Sequence, residues 1–389
     1  DAALGHRAPH PHLRRVRQAR AHPGPLGPGP ALDERAAVSV QVGAKPPRAM
    51  VLAAGAGTRL RPLTYETPKP MMPVVNRPVL HHVLDNLARH GVRDVVMNLH
   101  MHPDQVRKYC GDGSRWGLAI RYSEEKQLFG TAGAVKKVEK WLKDGPFLIM
   151  SGDGVSDVDL TALFEYHRKK KSFATMVTKA VDAKFPFGIT LSSPTGRIKG
   201  FVEKPSWGQF FSNQVNTGIY LFEPQVLKLI PKGFYDFGHD VWPKLLKLKR
   251  PIHAWEWKGY WCDVGSIPEY RNAQHAALDG EVKVQIPGRE LRPKVWVEEG
   301  ARIASTAELK APCVIGKDAL IGPHAHVGPH TVVGAGCRVG TGATLKSCIL
   351  FDGVVVGEKA HLVNAIVGAG GVVQSDITAY DAAVLNVRE

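Results

Sequence analysis

One short stretch of the chain combines residue types that suit the binding of a polyphosphate. Residues 50–54 form an apolar run that predicts a buried strand. Gly55 and Gly57 follow it and allow a tight turn whose backbone N–H groups point outward at an anion. Arg59 and Lys69 place two positive charges beside the turn. Because N–H donors and two cations suit a polyphosphate better than a single carboxylate, the stretch predicts a site for the phosphates of a nucleoside triphosphate.

The turn differs from two common glycine-rich nucleotide motifs. No Gly-Lys-Ser or Gly-Lys-Thr follows it, as a P-loop requires, and its glycines lack the Gly-x-Gly-x-x-Gly spacing of dinucleotide-binding proteins. The alternative interpretation is structural, namely a strand that ends in a glycine turn beside surface cations.

Two aspartates are candidate ligands for a divalent cation. Asp153 directly follows a short apolar run that predicts a strand, and Asp263 lies in the segment Trp-Cys-Asp-Val-Gly. A nucleoside triphosphate binds together with Mg²⁺, a hard cation that prefers carboxylate oxygens. Asp153 is therefore a candidate ligand for Mg²⁺, and Asp263 is the second candidate. For Asp157 and Asp159 we favour a structural role, the N-capping of a helix predicted at residues 160–168.

Strand-like and helical patterns alternate between residue 50 and about residue 278. A helical pattern at 79–90 is followed by a predicted strand at 94–98, and one at 132–142 is followed by a strand at 147–150. Such alternation is typical of an α/β fold with a mostly parallel sheet. Ligands in such sheets bind beyond the carboxyl ends of the strands, which is where the glycine turn and the first aspartate fall.

The C-terminal part of the chain follows a six-residue repeat. Apolar residues recur at Val297, Ile303, Leu309, Ile315, Ile321, Val327, Val333, Val339, Leu345 and Phe351. Glycine follows several of them, and small or slim residues stand four positions later. This period predicts a parallel β-helix in which three hexads form one triangular coil. After Phe351 the spacing varies between five and six residues, so we expect the last coils to be irregular.

Two parts of the chain resemble one enzyme family. Residues 51–73, which include Ala-Ala-Gly-Ala-Gly-Thr-Arg-Leu-Arg and Thr-Pro-Lys-Pro-Met-Met-Pro, resemble the signature of the sugar-1-phosphate nucleotidyltransferases, or NDP-sugar pyrophosphorylases. The repeat resembles the left-handed hexapeptide β-helix attached to many of these enzymes. The resemblance covers roughly residues 50–375. It implies a Rossmann-like, mostly parallel α/β nucleotidyltransferase domain at 49–280 and a left-handed parallel β-helix at 281–389.

The resemblance also implies roles for individual residues. The residues implied to be catalytic are Arg59, Lys69, Asp153 and Asp263, of which the two aspartates hold the metal. The residues implied to bind the nucleotide are Leu52, Ala54, Gly55, Gly57, Thr58, Gly130 and Thr131. The residues implied to bind the sugar phosphate are Gly188, Glu203, Lys204, Asn216 and Thr217. A carboxylate and an amide suit sugar hydroxyl groups, and a lysine suits the phosphate.

The implied reaction forms an NDP-sugar and pyrophosphate from a nucleoside triphosphate and a sugar-1-phosphate. The segment Leu-Phe-Gly-Thr-Ala-Gly at 128–133 is similar to that of the mannose-1-phosphate guanylyltransferase branch, which favours GTP and mannose-1-phosphate. The alternatives are a glucose-1-phosphate thymidylyl-, adenylyl- or uridylyltransferase and a catalytically silent regulatory subunit. A hexapeptide acyltransferase with a histidine base is a further alternative, because the repeat contains His324, His326, His330 and His361.

Composition narrows the class of protein. The 389 residues are 44% apolar, enough for two globular domains. The net charge of +15 suits anionic substrates, and without a basic stripe interleaved with aromatic residues we expect no nucleic-acid partner. Five scattered cysteines without Cys-x-x-Cys spacing indicate a reducing, cytoplasmic setting. We expect no membrane partner, because no apolar run is long enough to span a bilayer.

Two further expectations concern the ends of the chain. Residues 1–48 are rich in Pro, Ala, Arg and His, contain no aromatic residue and show no apolar periodicity, so we predict a disordered leader. The predicted β-helix offers flat faces and an open end, from which we predict a homo-oligomer.

Overall fold

The computed structural model describes residues 47–181, 187–206 and 211–384. The leader predicted for residues 1–48 lies, apart from its last two residues, outside the described part. The described chain forms two regions, which we call the sheet region (residues 47–280) and the β-helix (residues 289–384). No helix of the described chain is long and apolar enough to cross a membrane.

The sheet region alternates strands and helices. Its strands are β1 (Arg48–Leu52), β2 (Pro73–Val74), β3 (Arg77–Pro78), β4 (Asp94–Leu99), β5 (Ala119–Glu124), β6 (Phe147–Ser151), β7 (Gly154–Ser156), β8 (Ala174–Ala180), β9 (Ile189–Ser192), β10 (Ile198–Val202), β11 (Gln214–Phe222), β12 (Ile252–Glu256) and β13 (Trp261–Asp263). Its α-helices are α1 (Val79–Arg89), α2 (Pro103–Cys110), α3 (Gly130–Lys137), α4 (Glu139–Leu142), α5 (Leu160–Lys170), α6 (Trp242–Lys247) and α7 (Ile267–Asp279).

A large sheet forms the centre of this region. Strands β5, β4, β1 and β6 are adjacent in that order and parallel. Strand β11 is antiparallel to β6 and also pairs with β8 and β9. Strand β12 pairs with β8, and strand β10 pairs with β9. Apolar clusters cover both faces, as is usual for parallel strands flanked by helices. The predicted α/β fold is thus confirmed, and the antiparallel strands lie in the half of the sheet beyond β6.

Apolar spacing explains helix α1, and a break at Val138 divides the helix predicted at residues 132–142. The apolar residues on the buried face of α1 recur at helical spacing and are Leu80, Val83, Leu84 and Leu87. The helix predicted at 132–142 is instead two helices, α3 and α4. Val138 separates them, because its dihedral angles, φ −105° and ψ 17°, are not helical. Its N–H also donates to the carbonyl oxygen of Val135, only three residues earlier.

The β-helix is built from short strands stacked in three sheets. The strands are β14 (Arg289–Arg292), β15 (Val295–Val297), β16 (Arg302–Ile303), β17 (Glu308–Leu309), β18 (Cys313–Ile315), β19 (Leu320–Ile321), β20 (His326–Val327), β21 (Thr331–Val333), β22 (Arg338–Val339), β23 (Thr344–Lys346), β24 (Ile349–Leu350), β25 (Val355–Val356), β26 (His361–Val363), β27 (Ile366–Val367), β28 (Val372–Val373), β29 (Thr378–Tyr380) and β30 (Ala383–Val384). The sheets run in the orders β14-β15-β18-β21-β24-β27-β30, β16-β19-β22-β25-β28 and β17-β20-β23-β26-β29. Apart from the antiparallel pair β14–β15, the described pairs are parallel, as the repeat predicts.

The predicted hexad register is confirmed up to Leu345 and is wrong at Phe351. The first coils advance by eighteen residues, whereas Val333 pairs with Leu350, seventeen residues on. The coil shortens near Ser347, whose φ is 53°. Leu350 therefore lies in the interior of the β-helix, and Phe351 packs in a different cluster that joins the two regions.

The cluster that joins the two regions packs against the segment that carries Arg59 and Lys69. It contains Leu60, Met72 and Val75 from the sheet region together with residues of α7 and of the first sheet of the β-helix. The rings of Tyr270 and Phe351 meet edge to face within it, with centroids 6.5 Å apart. The two regions therefore share one apolar core. Leu60 and Met72, next to the candidate site, are buried in it.

Candidate active site

A two-stranded ribbon brings the two candidate aspartates together. Strands β7 and β13 pair in antiparallel fashion, so that Asp263 lies opposite Gly154, and Asp153 immediately precedes β7. The N–H of Val264 donates to the carbonyl oxygen of Asp153 at 3.2 Å. Because antiparallel pairing puts the start of one strand beside the end of the other, both carboxylates lie at the same end of the ribbon.

The ammonium group of Lys69 lies between these two carboxylates. Its Nζ is 2.5 Å from Asp153 Oδ2 and 2.6 Å from Asp263 Oδ1, and Lys69 is only 7% exposed. Burial lowers the pKa of Lys69, but the charges of the two aspartates and their hydrogen bonds outweigh it and raise the pKa above its ordinary value. Lys69 therefore supplies a fixed positive charge at neutral pH.

The two aspartates differ in their electrostatic surroundings. Burial tends to raise the pKa of Asp153, but the Lys69 ammonium outweighs it and lowers the pKa, and Ser151 Oγ also donates to this carboxylate. For Asp263, burial and the negative charge of Asp153 raise the pKa. Arg59 Nη2 lies 3.4 Å from Asp263 Oδ2, but the Arg59 side chain is 53% exposed and solvent screens the pair. The charges around Asp263 would therefore favour the binding of a further cation.

The donor set fits a divalent cation that is shared with a phosphate ligand. No group of three or more His, Cys, Asp or Glu side chains in the described residues forms a complete metal site. Mg²⁺, however, is usually held by one or two carboxylates together with substrate phosphates and water. Asp153 and Asp263 direct their oxygens at one position, which the Lys69 ammonium takes here, and they supply the two carboxylates.

The glycine turn presents amide donors next to these charges. Its exposed residues are Gly55, Ala56, Thr58 and Arg59. Within the described chain, no hydrogen bond engages the N–H groups of residues 54–57. Gly57 has a φ of 62°, and a Cβ on it would lie 3.2 Å from the Cβ of Lys69. The hydroxyl of Thr64 donates to the carbonyl oxygen of Gly57 at 2.8 Å. The turn therefore has a defined shape and free donors, as an anion-binding loop requires.

A buried polar chain that the sequence analysis missed connects the glycine turn to the segment near residue 130. The N–H of Ala53, between Leu52 and Ala54, donates to Asn98 Oδ1 at 2.9 Å, and Asn98 Nδ2 donates to Glu125 Oε1 at 3.0 Å. Glu125 Oε2 accepts from the N–H of Phe129 at 3.2 Å. Asn98 is 4% exposed and Glu125 is 2% exposed. Both residues lie at the carboxyl ends of strands, β4 and β5, and that position is the signal that could have identified them.

The segment of Gly130 and Thr131, implied to bind the nucleotide, packs against another part of the sheet region. Gly130 has a φ of 72°, and a Cβ on it would lie 2.6 Å from the carbonyl oxygen of Tyr235. Thr131 Oγ1 donates to Asp236 Oδ2 at 2.7 Å and accepts from the N–H of Phe237 at 2.8 Å. A close approach that Gly130 permits is therefore to the protein's own backbone. A nucleotide contact of Gly130 or Thr131 stays a prediction.

Two glycines make room for the carboxylate of Glu203. A Cβ on Gly188 would lie 2.6 Å from Glu203 Oε2, and a Cβ on Gly238 would lie 2.3 Å from the same atom. Burial, followed by the charge of Asp236, raises the pKa of Glu203. The carboxylate is thus held between two backbone segments. Gly188 was predicted for this part of the site, whereas no sequence signal pointed to Gly238.

The other predicted sugar-phosphate residues differ in their free hydrogen-bonding groups. Lys204 is exposed, with a φ of 45°. Asn216 Nδ2 donates to the Tyr220 hydroxyl at 2.8 Å, and its Oδ1 accepts a backbone N–H at 3.0 Å. Thr217 is 3% exposed, and its hydroxyl donates to the carbonyl oxygen of Val177 at 2.8 Å. Asn216 retains one N–H for a ligand, whereas the Thr217 hydroxyl is committed to the fold.

The two neighbouring aspartates have separate structural roles. Asp159 caps α5 by accepting from the N–H of Ala162 at 3.0 Å, which confirms the predicted cap. Asp157 is not a cap, and for this residue the prediction is wrong. Its carboxylate accepts from the N–H groups of Tyr260 at 3.2 Å and of Lys283 at 3.1 Å, so it ties the β7–β13 ribbon to the chain after α7.

Sequence comparisons place both regions among proteins of one kind. A sequence model of the nucleotidyl transferase family matches residues 48–280, and one described as the GMPPB C-terminal domain matches residues 309–387. The chain is 35% identical over 338 residues to the UTP–glucose-1-phosphate uridylyltransferase of Synechocystis sp., covering 82% of this chain and 87% of that protein. It is 34% identical over 231 residues to the mannose-1-phosphate guanyltransferase of Aspergillus oryzae, covering 57% of this chain and 62% of the relative.

Solved structures resemble this chain over 59% of its length. A glucose-1-phosphate thymidylyltransferase structure from Bacillus anthracis, in complex with sucrose, gives a TM-score of 0.55 at 25% identity and covers 59% of this chain and 94% of that chain. HddC from Yersinia pseudotuberculosis gives 0.52 at 23% identity, over 59% of this chain and 99% of that chain, and this likeness shows the fold alone.

Proposed function

The chain belongs to the nucleotidyl transferase family, and we propose that it transfers the nucleotidyl group of a nucleoside triphosphate to a sugar-1-phosphate, forming an NDP-sugar and releasing pyrophosphate. The observation that carries this proposal is the position of the Lys69 ammonium between Asp153 and Asp263, beside the exposed glycine turn. A buried cation, two carboxylates and free amide donors together suit a triphosphate with its divalent cation.

For the substrates we propose GTP and mannose-1-phosphate. This choice is supported by the mannose-1-phosphate guanyltransferases among the relatives and by the match of the repeat to the GMPPB C-terminal domain. The second candidate pair is UTP and glucose-1-phosphate. It is supported by the Synechocystis uridylyltransferase, because that similarity extends over 82% of this chain.

The proposed reaction needs no covalent enzyme intermediate. A phosphate oxygen of the sugar-1-phosphate forms a bond to the α-phosphorus in line, and the bond from that phosphorus to the oxygen of the departing pyrophosphate breaks. The nucleophile is already an anion, so no general base is required. Lys69 and Arg59 offset the charge of the phosphates, and the amides of the glycine turn hold them in position.

We assign Asp153 and Asp263 to Mg²⁺ and the Glu203 side of the site to the sugar phosphate. Mg²⁺, when bound, would neutralise phosphate charge and orient the phosphates. Glu203 and the remaining N–H of Asn216 suit sugar hydroxyl groups, and the exposed Lys204 suits the phosphate.

Two alternative functions have less support. A catalytically silent subunit has no need of the charged residues assembled around Lys69. For acyl transfer, His326 Nδ1 lies 3.0 Å from Glu308 Oε2 and His330 Nε2 lies 2.9 Å from Asp279 Oδ2, and a carboxylate partner is compatible with a histidine base. The support is weaker because the family match over residues 48–280 is to nucleotidyl transferases.

The setting of the enzyme stays at the level of prediction. All five cysteines lie in the described residues and are free thiols, in keeping with the proposed reducing, cytoplasmic environment. A homo-oligomer formed through the β-helix, and the expected lack of nucleic-acid and membrane partners, also stay predictions.

Pyrophosphate release provides the test. The purified chain with Mg²⁺ is assayed against GTP, UTP, ATP and dTTP, each with mannose-1-phosphate and glucose-1-phosphate. We expect GTP with mannose-1-phosphate to give the highest kcat/KM. Asp153→Asn should lower kcat by about 10²–10³-fold without loss of the fold, because it removes a charge that acts on the reacting phosphates.

Asp159→Asn is the matched control for this variant. Asp159 lies between β7 and α5, on the far side of β7 from Asp153. Because Asn caps a helix as well as Asp does, activity should stay within twofold. Full activity of Asp153→Asn with Mg²⁺, or no pyrophosphate release by the wild-type chain with any pair, would contradict the proposal.

A further inference from the structure

The hairpin that follows Lys69 contains an unusual turn. Strands β2 and β3 are joined by Val75 and Asn76, whose φ angles are 45° and 62°. Two-residue turns with positive φ at both positions favour Asn and Gly. Val75 is β-branched, and the left-handed region is costly for such a residue. A strained conformation of this kind persists only where the surrounding structure holds it.

Helix α7 holds one side of this hairpin. Gln274 is 1% exposed, and its Oε1 accepts from the N–H of Val75 at 2.8 Å while its Nε2 donates to the carbonyl oxygen of Pro73 at 2.6 Å. The Tyr270 hydroxyl donates to the same carbonyl at 2.6 Å. The helix begins at Ile267, shortly after Asp263 in the chain. One helix therefore connects a carboxylate of the site to the chain beyond Lys69.

The β-helix holds the other side. Asn76 Nδ2 donates to the carbonyl oxygen of Val333 at 2.9 Å and to Glu298 Oε1 at 3.3 Å. Val75 is fully buried, in the cluster that also contains Val332 of β21. The turn is thus inserted against the first sheet of the β-helix, and the burial of Val75 offsets the strain of its backbone.

Hydrogen bonds connect the hairpin to Lys69 itself. The N–H of Met72 donates to the carbonyl oxygen of Lys69 at 3.2 Å, and the N–H of Val79 donates to that of Met72 at 3.0 Å. Lys69 and the hairpin therefore form one bonded unit. A shift of the hairpin would move the Lys69 ammonium relative to Asp153, which lies on another element.

We propose that Asn76 is a positioning residue through which the β-helix sets the place of Lys69 in the active site. The inference rests on the proposed function, because it gives Lys69 a part in the reaction. It assigns the β-helix a role in catalysis in addition to its own folding.

Asn76→Gly in the full-length protein is the test variant. Glycine accepts a positive φ, so the turn is preserved while both side-chain bonds to the β-helix are lost. Asn364→Gly is the matched control, because Asn364 also has a positive φ, 55°, and lies between β26 and β27.

We expect Asn76→Gly to lower kcat about tenfold, with the KM for the sugar-1-phosphate within twofold, because Lys69 is still present but less well placed. In the substrate-free protein, the amides of residues 69–78 should exchange hydrogen at least about tenfold faster, and those of β4 should be unchanged. Asn364→Gly should match the wild type in both measurements. Wild-type kcat and exchange in Asn76→Gly, or equal losses in both variants, would overturn the proposal.

Hydrogen exchange separates this inference from the proposed function. If the wild-type chain releases no pyrophosphate, the function fails, while exchange at residues 69–78 still decides whether the β-helix holds the hairpin. Asn76→Asp provides a second variant in case Asn76→Gly does not fold. Aspartate also tolerates positive φ but presents a carboxylate to Glu298, so faster exchange is expected again, and unchanged exchange would count against the contact.

Discussion

The β-helix and the sheet region bring residues together in opposite ways. In the parallel pairs of the β-helix, paired residues are seventeen or eighteen positions apart, as in the pair of Val333 and Leu350. In the sheet region, the site joins Lys69, Asp153 and Asp263 from elements that are far apart in the chain. A repeat period predicts the contacts of a solenoid, whereas the patterns of a layered sheet predict its elements without showing which of them meet.

The difference does not make the two regions independent. They share the cluster that contains Tyr270, Phe351 and Val75, and the hairpin after Lys69 is inserted against the β-helix. We therefore expect a destabilising substitution inside the β-helix to destabilise the sheet region as well.

The largest expected effect comes from a cavity inside the β-helix. Leu345 is fully buried in its interior, and Leu345→Ala should lower the free energy of unfolding by about 4 kcal/mol. Because the regions share core, thermal unfolding followed by circular dichroism should still show one transition, with activity lost at the same temperature. Thr344→Ala, a partly exposed neighbour, is the control and should change little. Two separate transitions, with the sheet region unfolding at its wild-type temperature, would contradict the coupling of the two regions.

Acid should weaken the sheet region through His82. Burial lowers the pKa of His82 to about 4, and its Nε2 donates to the carbonyl oxygen of Val74 in the hairpin at 3.0 Å. An unfolded histidine has a pKa of about 6.5, so the unfolded chain takes up the proton first as the pH falls. The stability present above pH 6.5 should therefore decline between about pH 6.5 and 4, by about 3 kcal/mol in total.

Urea unfolding at several pH values measures this decline. His82→Gln, whose amide can donate to the same carbonyl, should flatten the pH dependence in that window. An equally steep decline in the variant would assign the acid sensitivity to other groups.

The smallest effects compare glycines in the two regions. A Cβ on Gly133 would lie 2.2 Å from the carbonyl oxygen of Gly233, and a Cβ on Gly316 would lie 2.5 Å from the carbonyl carbon of Gly334 in the next coil. Alanine at either position should cost about 2 kcal/mol, because backbone must move. Gly55→Ala, with no atom within 4 Å of the added Cβ, is the control and should stay within about 0.5 kcal/mol in urea unfolding. Equal stability of all three variants would contradict this reading.

Gly133 and Gly316 also show the limit of prediction from sequence. The neighbour of Gly316 follows from the hexad period, since the next coil must stack on it. The neighbour of Gly133 belongs to a loop a hundred residues later, and no local pattern indicates that approach. For the same reason the polar chain of Asn98 and Glu125 was missed, because the bonds that Asn98 makes to Ala53 and Glu125 join distant segments.

Residue type and short-range spacing were sufficient for the elements and for the chemical character of the site: the strand before the glycine turn, the cap at Asp159, the repeat, and a lysine and two aspartates suited to phosphates and a cation. These features depend on backbone geometry and side-chain chemistry within a few residues. The antiparallel pairing of β7 with β13, the shortened coil at Ser347 and the insertion of Asn76 against the β-helix depend on contacts between distant segments. Such contacts are selected by how whole surfaces pack, which local patterns do not encode.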